Sequence, residues 1–167
     1  MGNNHQIEYP YMPKGETILY VDAHNKYMRS AKEHARKYSL DQNMPTGSVI
    51  VLNGEIIGRG ANGSDYHDKF GCERVKKGIP TGQRYELCEG CHPKNHSEPK
   101  AIEDALHNHP RKELKDAELY LWGHWWACEP CWNAIQTAGI RKVYLVQDSH
   151  RLYNKQHPEN IVGKQLA

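Results

Sequence analysis

Two short segments of the chain carry side chains that could do chemistry together. The first is His96-Ser97-Glu98 and the second is Cys128-x-x-Cys131. One imidazole and two thiolates supply three ligands of a tetrahedral zinc and leave the fourth position for water, whereas a structural zinc site is closed by a fourth protein ligand. Glu98 follows His96 by two residues and is predicted to carry protons beside the metal rather than to bind it.

Each segment alone is weak evidence. The chain contains 11 histidines and a quarter of its residues are charged, so His-x-Glu triplets arise easily by chance. A Cys-x-x-Cys pair also fits a redox dithiol or part of a structural zinc site. Both segments are predicted at the start of a helix, where the helix dipole stabilises thiolates. This combination favours an open zinc site.

The predicted elements explain how the two segments could meet. Residues 1–20 are predicted to form an irregular lead-in, residues 21–40 an amphipathic helix, and the runs on either side of Asn53-Gly54 a β-hairpin. One helix is predicted to begin near Glu98, and a second to cover 129–139 with Gly139 as its stop. Residues 117–122 and 142–146 are predicted strands, and they are expected to be parallel because a crossover helix joins them. Residues 149–167 are predicted to be a polar tail.

Composition limits the class of protein. The chain has 167 residues, a net charge of +2 and no apolar run long enough to span a bilayer, so we expect a single domain over 1–167 with no membrane contact. The first residues contain no apolar signal-peptide core, so the cytoplasm is the expected location. Five cysteines are an odd number, which argues against a disulfide framework and for metal binding or free thiols.

Three of the cysteines fall in the irregular segment 61–95. A connection of this length is usually functional or braced by a metal. Cys72, Cys88 and Cys91, with a histidine such as His92 or His67, are predicted to form a second, structural Cys3His zinc site. The alternative is that the three are reduced surface thiols.

The two segments resemble the His-x-Glu…Pro-Cys-x-x-Cys signature of the zinc-dependent cytidine and deoxycytidylate deaminases. The resemblance extends from about Val21 to Val146, and "GIPTGQRYELCEGCHPKNHSEPKAI" and "GANGS" look most like deoxycytidylate (dCMP) deaminases. Three positions depart from the family pattern: Ser97 replaces an alanine, Ala127 a proline and Ala61 a tyrosine.

The resemblance implies a fold, a cofactor and a reaction. The fold would be a three-layer α/β/α structure around a mixed, mostly five-stranded sheet. His96, Cys128 and Cys131 would hold zinc, and Glu98 would shuttle protons while the cytosine of a nucleotide becomes uracil, most simply dCMP to dUMP. Family members assemble into oligomers, so a homo-oligomer is expected.

The resemblance also implies substrate contacts. The Ser97 main-chain N–H would hold the ring carbonyl, and Asn62 would contact the sugar or ring unless it is a simple turn residue. Trp125 and Trp126 would stack on the base, with core packing as the alternative. Lys69, Arg74, Lys76, Lys77 and Arg84 could hold a phosphate or could form a solvated surface.

Two other functions remain open from the sequence. One is deamination of a base within nucleic acid, either a tRNA adenosine or a single-stranded cytosine. The other is a non-catalytic binding module in which both clusters are closed structural zinc sites.

Overall fold

The computed structural model describes residues 7–41, 43–80, 83–110 and 114–167. A mixed five-stranded sheet has the order β1-β5-β4-β2-β3. Its strands are β1 Ile18–Val21, β2 Gly47–Leu52, β3 Glu55–Ala61, β4 Glu118–Trp122 and β5 Lys142–Val146. β2 pairs antiparallel with β3 and β4, whereas β5 pairs parallel with β4 and β1. The parallel arrangement predicted for the last two strands is therefore confirmed.

Helices cover both faces of this sheet. They are α1 Lys26–Tyr38, α2 Tyr66–Phe70, α3 Glu73–Lys76, α4 Ser97–Asn108, α5 Glu129–Ala138 and α6 Ser149–Leu152. On one face α1 packs its buried side chains on alternate strand residues such as Val49 and Tyr120. On the opposite face α4 and α5 pack on the residues between them, such as Ile50 and Leu121. The expected three-layer α/β/α fold is confirmed.

The lead-in and the first helix differ from the prediction. Residues 1–20 were expected to be irregular, but Ile18–Val21 form β1 and pair with β5. The helix predicted from Val21 begins only at Lys26, because the Asn25 side chain caps it by accepting hydrogen bonds from the backbone N–H groups of Tyr27 and Met28. A four-residue strand has little local signal, and β1 is defined by its long-range partner.

The hairpin and its glycines bring α4 close to the sheet. Asn53 and Gly54 have φ angles of 51° and 81°, as a two-residue hairpin turn requires, and this prediction is confirmed. A Cβ added at Gly60 of β3 would lie 2.3 Å from the Ser97 carbonyl oxygen. Only glycine allows this contact, which seats the first turn of α4 directly on β3.

The remaining segments are more ordered than their composition suggests. Segment 61–95 contains α2, α3 and two 3-10 turns at Tyr85–Leu87 and Pro93–Asn95. The tail begins with α6 and then buries Tyr153, whose ring meets Trp122 at a centroid distance of 5.9 Å. Within the described part of the chain, no helix has both the length and the apolar character needed to cross a membrane.

Candidate active site

The His96 and Cys128-x-x-Cys131 segments meet on one side of the sheet. His96 Nδ1 lies 3.3 Å from Cys131 Sγ and 3.5 Å from Cys128 Sγ, and the two sulfurs are 3.3 Å apart. A tetrahedral zinc sets its sulfur ligands about 3.8 Å apart and a sulfur and a nitrogen about 3.6 Å apart. The three atoms are within about half an ångström of that spacing, so this chemically suitable donor set fits the metal. We call these three residues the open cluster.

Helix starts place the three donors. His96 is the N-cap residue of α4, Cys128 is the N-cap residue of α5, and Cys131 is buried in the first turns of α5. The neighbouring Cys131 thiol, followed by His96, lowers the pKa of Cys128 to about 5, against the opposing effect of burial. The Cys128 thiolate and burial raise the pKa of Cys131. One of the two thiolates that metal binding requires therefore forms beside His96 without a metal, and the Cys131 proton would be released on binding.

Glu98 lies beside the open cluster, and two serines hold it. Its buried carboxylate interacts electrostatically with His96 and with both thiols. The Ser97 hydroxyl donates to Glu98 Oε1 at 2.8 Å, and Ser48 Oγ of β2 lies 2.8 Å from Ser97 Oγ. Because the Ser97 hydroxyl donates its only proton to Glu98, the Ser48 hydroxyl must be the donor to Ser97 Oγ. This buried chain of hydroxyls fixes the Oε1 side of the carboxylate, which also contacts the Cys131 thiol.

A cavity of about 260 Å³ opens beside the cluster. Glu98, His96, Cys128, His124 and Trp126 line its inner part. It adjoins a broader groove of about 1020 Å³, which His124, Trp126 and Cys128 also line. The catalytic residues predicted from sequence thus face a space large enough for a small ring, with a wider approach outside it.

The other three cysteines form a second group, with His67 as the fourth member. His67 Nε2 lies 3.3 Å from Cys88 Sγ and 3.5 Å from Cys91 Sγ, and Cys72 Sγ lies 3.5 Å from Cys91 Sγ. All four donor atoms are within 4.8 Å of one another. We call this set the closed cluster, because four protein donors are the number that fills a tetrahedral coordination sphere.

The closed cluster corrects one prediction. His92 is not among its donors, because its ring caps the Pro93–Asn95 turn and His92 Nδ1 accepts the Lys94 backbone N–H at 3.1 Å. His67 takes that place from α2, 21 residues before Cys88, so sequence proximity to the Cys88-x-x-Cys91 pair was misleading.

A family comparison agrees with this geometry. Residues 21–147 match the family described as "Cytidine and deoxycytidylate deaminase zinc-binding region". The chain belongs to this deaminase family.

The names of the proteins similar to this chain give different substrates. The chain is 30% identical over 129 residues to the tRNA-specific adenosine deaminase subunit tad2 of Schizosaccharomyces pombe, covering 77% of this chain but only 27% of that protein. Two solved structures also resemble it. The dCMP deaminase of cyanophage S-TIM5 is 23% identical to this chain. The match covers 74% of this chain and 82% of the cyanophage chain, with a TM-score of 0.47. A chain from a study of A-to-I editing by tRNA:A34 deaminases is 25% identical. That match covers 73% of this chain and 75% of the other chain, and it also has a TM-score of 0.47.

The substrate contacts expected from the sequence fall into two groups. Trp126 is buried and lines the cavity, whereas Trp125 lines only the outer groove and stacks on Tyr9 at 6.2 Å.

Asn62 lines the cavity, but its Oδ1 accepts from the Thr46 N–H and the Ser39 hydroxyl and its Nδ2 donates to the Met44 carbonyl. Asn62 therefore shapes the cavity by holding the segment before β2. Trp122 and Trp132 are core residues, as predicted.

The basic residues of segment 61–95 are largely used within the protein. Lys69 pairs with Asp65 and Arg84 pairs with Glu86. Arg74 is buried and donates to the carbonyls of Gln83 and Pro80 and, at 3.3 Å, to Cys91 Sγ. The Arg74 guanidinium is also 4.6 Å from the centre of the Tyr85 ring, which in turn contacts the His96 ring edge-on at 5.1 Å. The closed cluster is thus connected to the open one through side-chain packing.

Three residues of the site were missed in the sequence. Ser48 had no signal apart from its strand. Lys155 lines the cavity from the tail and forms no ion pair with any described residue. His124 stands four residues before Cys128 in "WGHWWAC", and that closeness to the motif was the signal that could have identified it.

Proposed function

We propose that this chain is a hydrolytic deaminase that converts the cytosine of a nucleotide to uracil and releases ammonia. The observation that carries the proposal is the buried Glu98 carboxylate, fixed by Ser97 beside a three-donor cluster at the inner end of a cavity. A closed structural site needs no such carboxylate and no such cavity.

His96, Cys128 and Cys131 would hold the zinc. When bound, zinc lowers the pKa of a coordinated water from about 15.7 to about 7, which makes a hydroxide nucleophile available at neutral pH. Glu98 would take one proton from the water and deliver it to ring N3, and would then transfer the second proton, from the hydroxyl added to the ring carbon, to the amine, which departs as ammonia. The reaction adds one water and releases one ammonia, so no oxidant or reductant is required.

Within this reaction class we propose dCMP as the substrate and dUMP as the product. The cavity of about 260 Å³ lies just below the range of ligand pockets, about 300–1,000 Å³, and suits a single base with its sugar outside. The Lys155 ammonium lines both the cavity and the groove without an ion partner among the described residues, and could bind a phosphate there.

Deamination of a base within nucleic acid is the second candidate. The groove of about 1020 Å³ contains the Trp125 and Tyr11 rings and the Lys155 ammonium, and stacking rings with a cation suit a single strand. The similarity to the tRNA-specific adenosine deaminase subunit favours the same alternative.

A substrate panel separates the candidates. Zinc-loaded protein would be tested for ammonia release from dCMP, cytidine, single-stranded cytosine oligonucleotides and adenosine-containing tRNA anticodon stem-loops. Turnover of dCMP well above the others supports the nucleotide assignment, and preference for an oligonucleotide or stem-loop overturns it. Spectroscopy of cobalt-substituted protein tests the non-catalytic alternative, because four protein ligands at His96 would exclude an open site.

We also propose that His67, Cys72, Cys88 and Cys91 bind a structural zinc. The support is the donor set itself, together with Arg74, whose guanidinium offsets part of the negative charge that three thiolates bring to a divalent ion. Two zinc ions per chain are expected by elemental analysis, and a single equivalent would refute this second site. Assembly as a homo-oligomer and a cytoplasmic location stay predictions, and light scattering tests the first.

A further inference from the structure

His124 is a half-buried histidine that the proposed mechanism does not use. It lies in the connection between β4 and α5, and its Nδ1 accepts two backbone N–H groups, from Trp125 at 3.0 Å and from Trp126 at 3.3 Å. An Nδ1 that accepts has no proton, so the neutral ring carries its proton on Nε2. The ring is also packed edge-on against Trp126 at a centroid distance of 5.8 Å, which fixes its direction.

The surroundings keep this ring uncharged. Burial is the main reason that the pKa of His124 falls to about 4, with smaller and opposing effects from Glu98, which raises it, and His96 and Lys155, which lower it. A neutral imidazole with a fixed tautomer is a hydrogen-bond donor at one known atom. The low pKa agrees with a neutral ring, and the two backbone contacts select its tautomer.

The Nε2–H group has no hydrogen-bond acceptor among the described residues, although His124 lines both the cavity and the groove. Glu98, His96 and Cys128 line the same cavity. A donor placed there without a protein partner is available to a bound molecule. The negative charge of Glu98 disfavours an anionic acceptor at Nε2, while the Lys155 ammonium in the same cavity is the group that a phosphate would contact.

We propose that His124 donates its Nε2–H to a carbonyl oxygen of the bound base, and thereby contributes to selection of the substrate. This inference rests on the proposed deaminase function and adds a residue to its binding site. Cytosine has a carbonyl oxygen on its ring and adenine has none, so a donor fixed at this position favours the pyrimidine. His124 would thus discriminate between cytosine and adenine substrates.

Two substitutions separate the roles of the two ring nitrogens. In H124N the side-chain oxygen can replace Nδ1 as the acceptor of the loop N–H groups, but nothing reaches the position of Nε2. In H124Q the amide reaches the position of Nε2 and the Nδ1 acceptor is lost. If His124 contacts the base, kcat/KM for dCMP falls by about tenfold in H124N, the effect of one ordinary hydrogen bond, and by less in H124Q.

A purely structural role predicts the reverse order, and that order would overturn the proposal. Zinc content and melting temperature, measured on both variants, show whether the fold and the metal sites are retained. Nitrogen-15 NMR of the histidine rings in the zinc-loaded wild type provides a readout independent of turnover. We expect the Nε2–H tautomer and a shift of that resonance on addition of dUMP.

A protein without deaminase activity and a His124 ring without a contact to the base give different results. If wild type releases no ammonia from any substrate, the proposed function fails, and the NMR titration with dUMP still decides whether His124 contacts a carbonyl-bearing base. An Nδ1–H tautomer, a protonated ring at pH 7, or an Nε2–H resonance that does not move when dUMP binds each overturns the proposal for His124.

Discussion

The two cysteine clusters have similar donor chemistry but opposite relations to the fold. The open cluster has three donors, all placed by the starts of α4 and α5, which pack on the sheet. The closed cluster has four donors in segment 61–95, where α2 and α3 are only five and four residues long. In the first case the scaffold positions the donors for a metal, and in the second the metal would position the segment. The number of donors agrees with the proposed role of each cluster. A site that acts on a substrate needs a free coordination position, and a structural site does not.

Loss of Glu98 should give the largest effect, and only on chemistry. We expect Glu98→Ala to lower kcat/KM by at least about 100-fold, because proton transfer by a positioned carboxylate contributes about that much or more. Zinc at the open cluster should remain bound. Elemental analysis beside the ammonia assay checks both. Loss of one zinc in this variant would mean that Glu98 is a ligand, and the contrast between three and four donors would fail.

Removing one donor from each cluster compares their roles directly. Cys88→Ser should reduce zinc from two ions to one and lower the melting temperature by about 5–10 °C, since a loss of about 2–3 kcal/mol has that effect in a domain of this size. Cys131→Ser is the matched variant, and should remove the other zinc together with all activity.

Limited proteolysis completes the comparison. Cleavage within segment 61–95 should increase in Cys88→Ser and stay at the wild-type level in Cys131→Ser. Equal protection of the segment in both variants would show that it does not depend on the closed cluster.

Thiol reactivity in the metal-free protein should separate the clusters by roughly tenfold or more. The pKa of Cys128 is about 5, mainly through the Cys131 thiol and His96, whereas burial raises the pKa of Cys91 to about 12. The thiolate is the reactive form and predominates above the pKa, so at pH 7 Cys128 is ionised and Cys91 is not. Lowering the pH through 5 should slow alkylation of Cys128, and Cys91 should react appreciably only at strongly alkaline pH.

Peptide mapping by mass spectrometry after iodoacetamide treatment measures both rates. Equal rates at pH 7, with the ordinary thiol dependence on pH for both, would indicate that the clusters lose their structure without metal.

The smallest effect is expected from the hydroxyls that hold Glu98. Ser97→Ala keeps the main-chain N–H but removes the hydrogen bond to Glu98 Oε1, so kcat should fall by about threefold to tenfold while KM is unchanged. Ser48→Ala leaves the Ser97–Glu98 bond intact and should have a weaker effect. A change in KM without a change in kcat would show that Ser97 acts on binding and not on the carboxylate.

Local sequence was a good guide wherever a motif and its secondary structure coincide. His96, Glu98, Cys128 and Cys131 were recognised because two helix starts fix short spacings, and the open cluster indeed brings His96 and the two cysteines together. The Asn53-Gly54 turn and the Gly139 stop were recognised because positive φ angles restrict the residue type. The sequence did not reveal β1, whose four residues pair with β5 more than 120 positions later.

The sequence by itself therefore determined the deaminase family, the three-layer fold and the donors of the open cluster. Only the tertiary structure selected His67 over His92, connected Ser48 to Glu98 through Ser97, and brought His124 and Lys155 to one cavity. The physical reason is the distance along the chain over which each interaction acts. Helix periodicity, turn angles and ligand spacing act over a few residues, whereas the identity of a fourth ligand or of a hydrogen-bond partner depends on segments that come together only when the sheet and its helices pack.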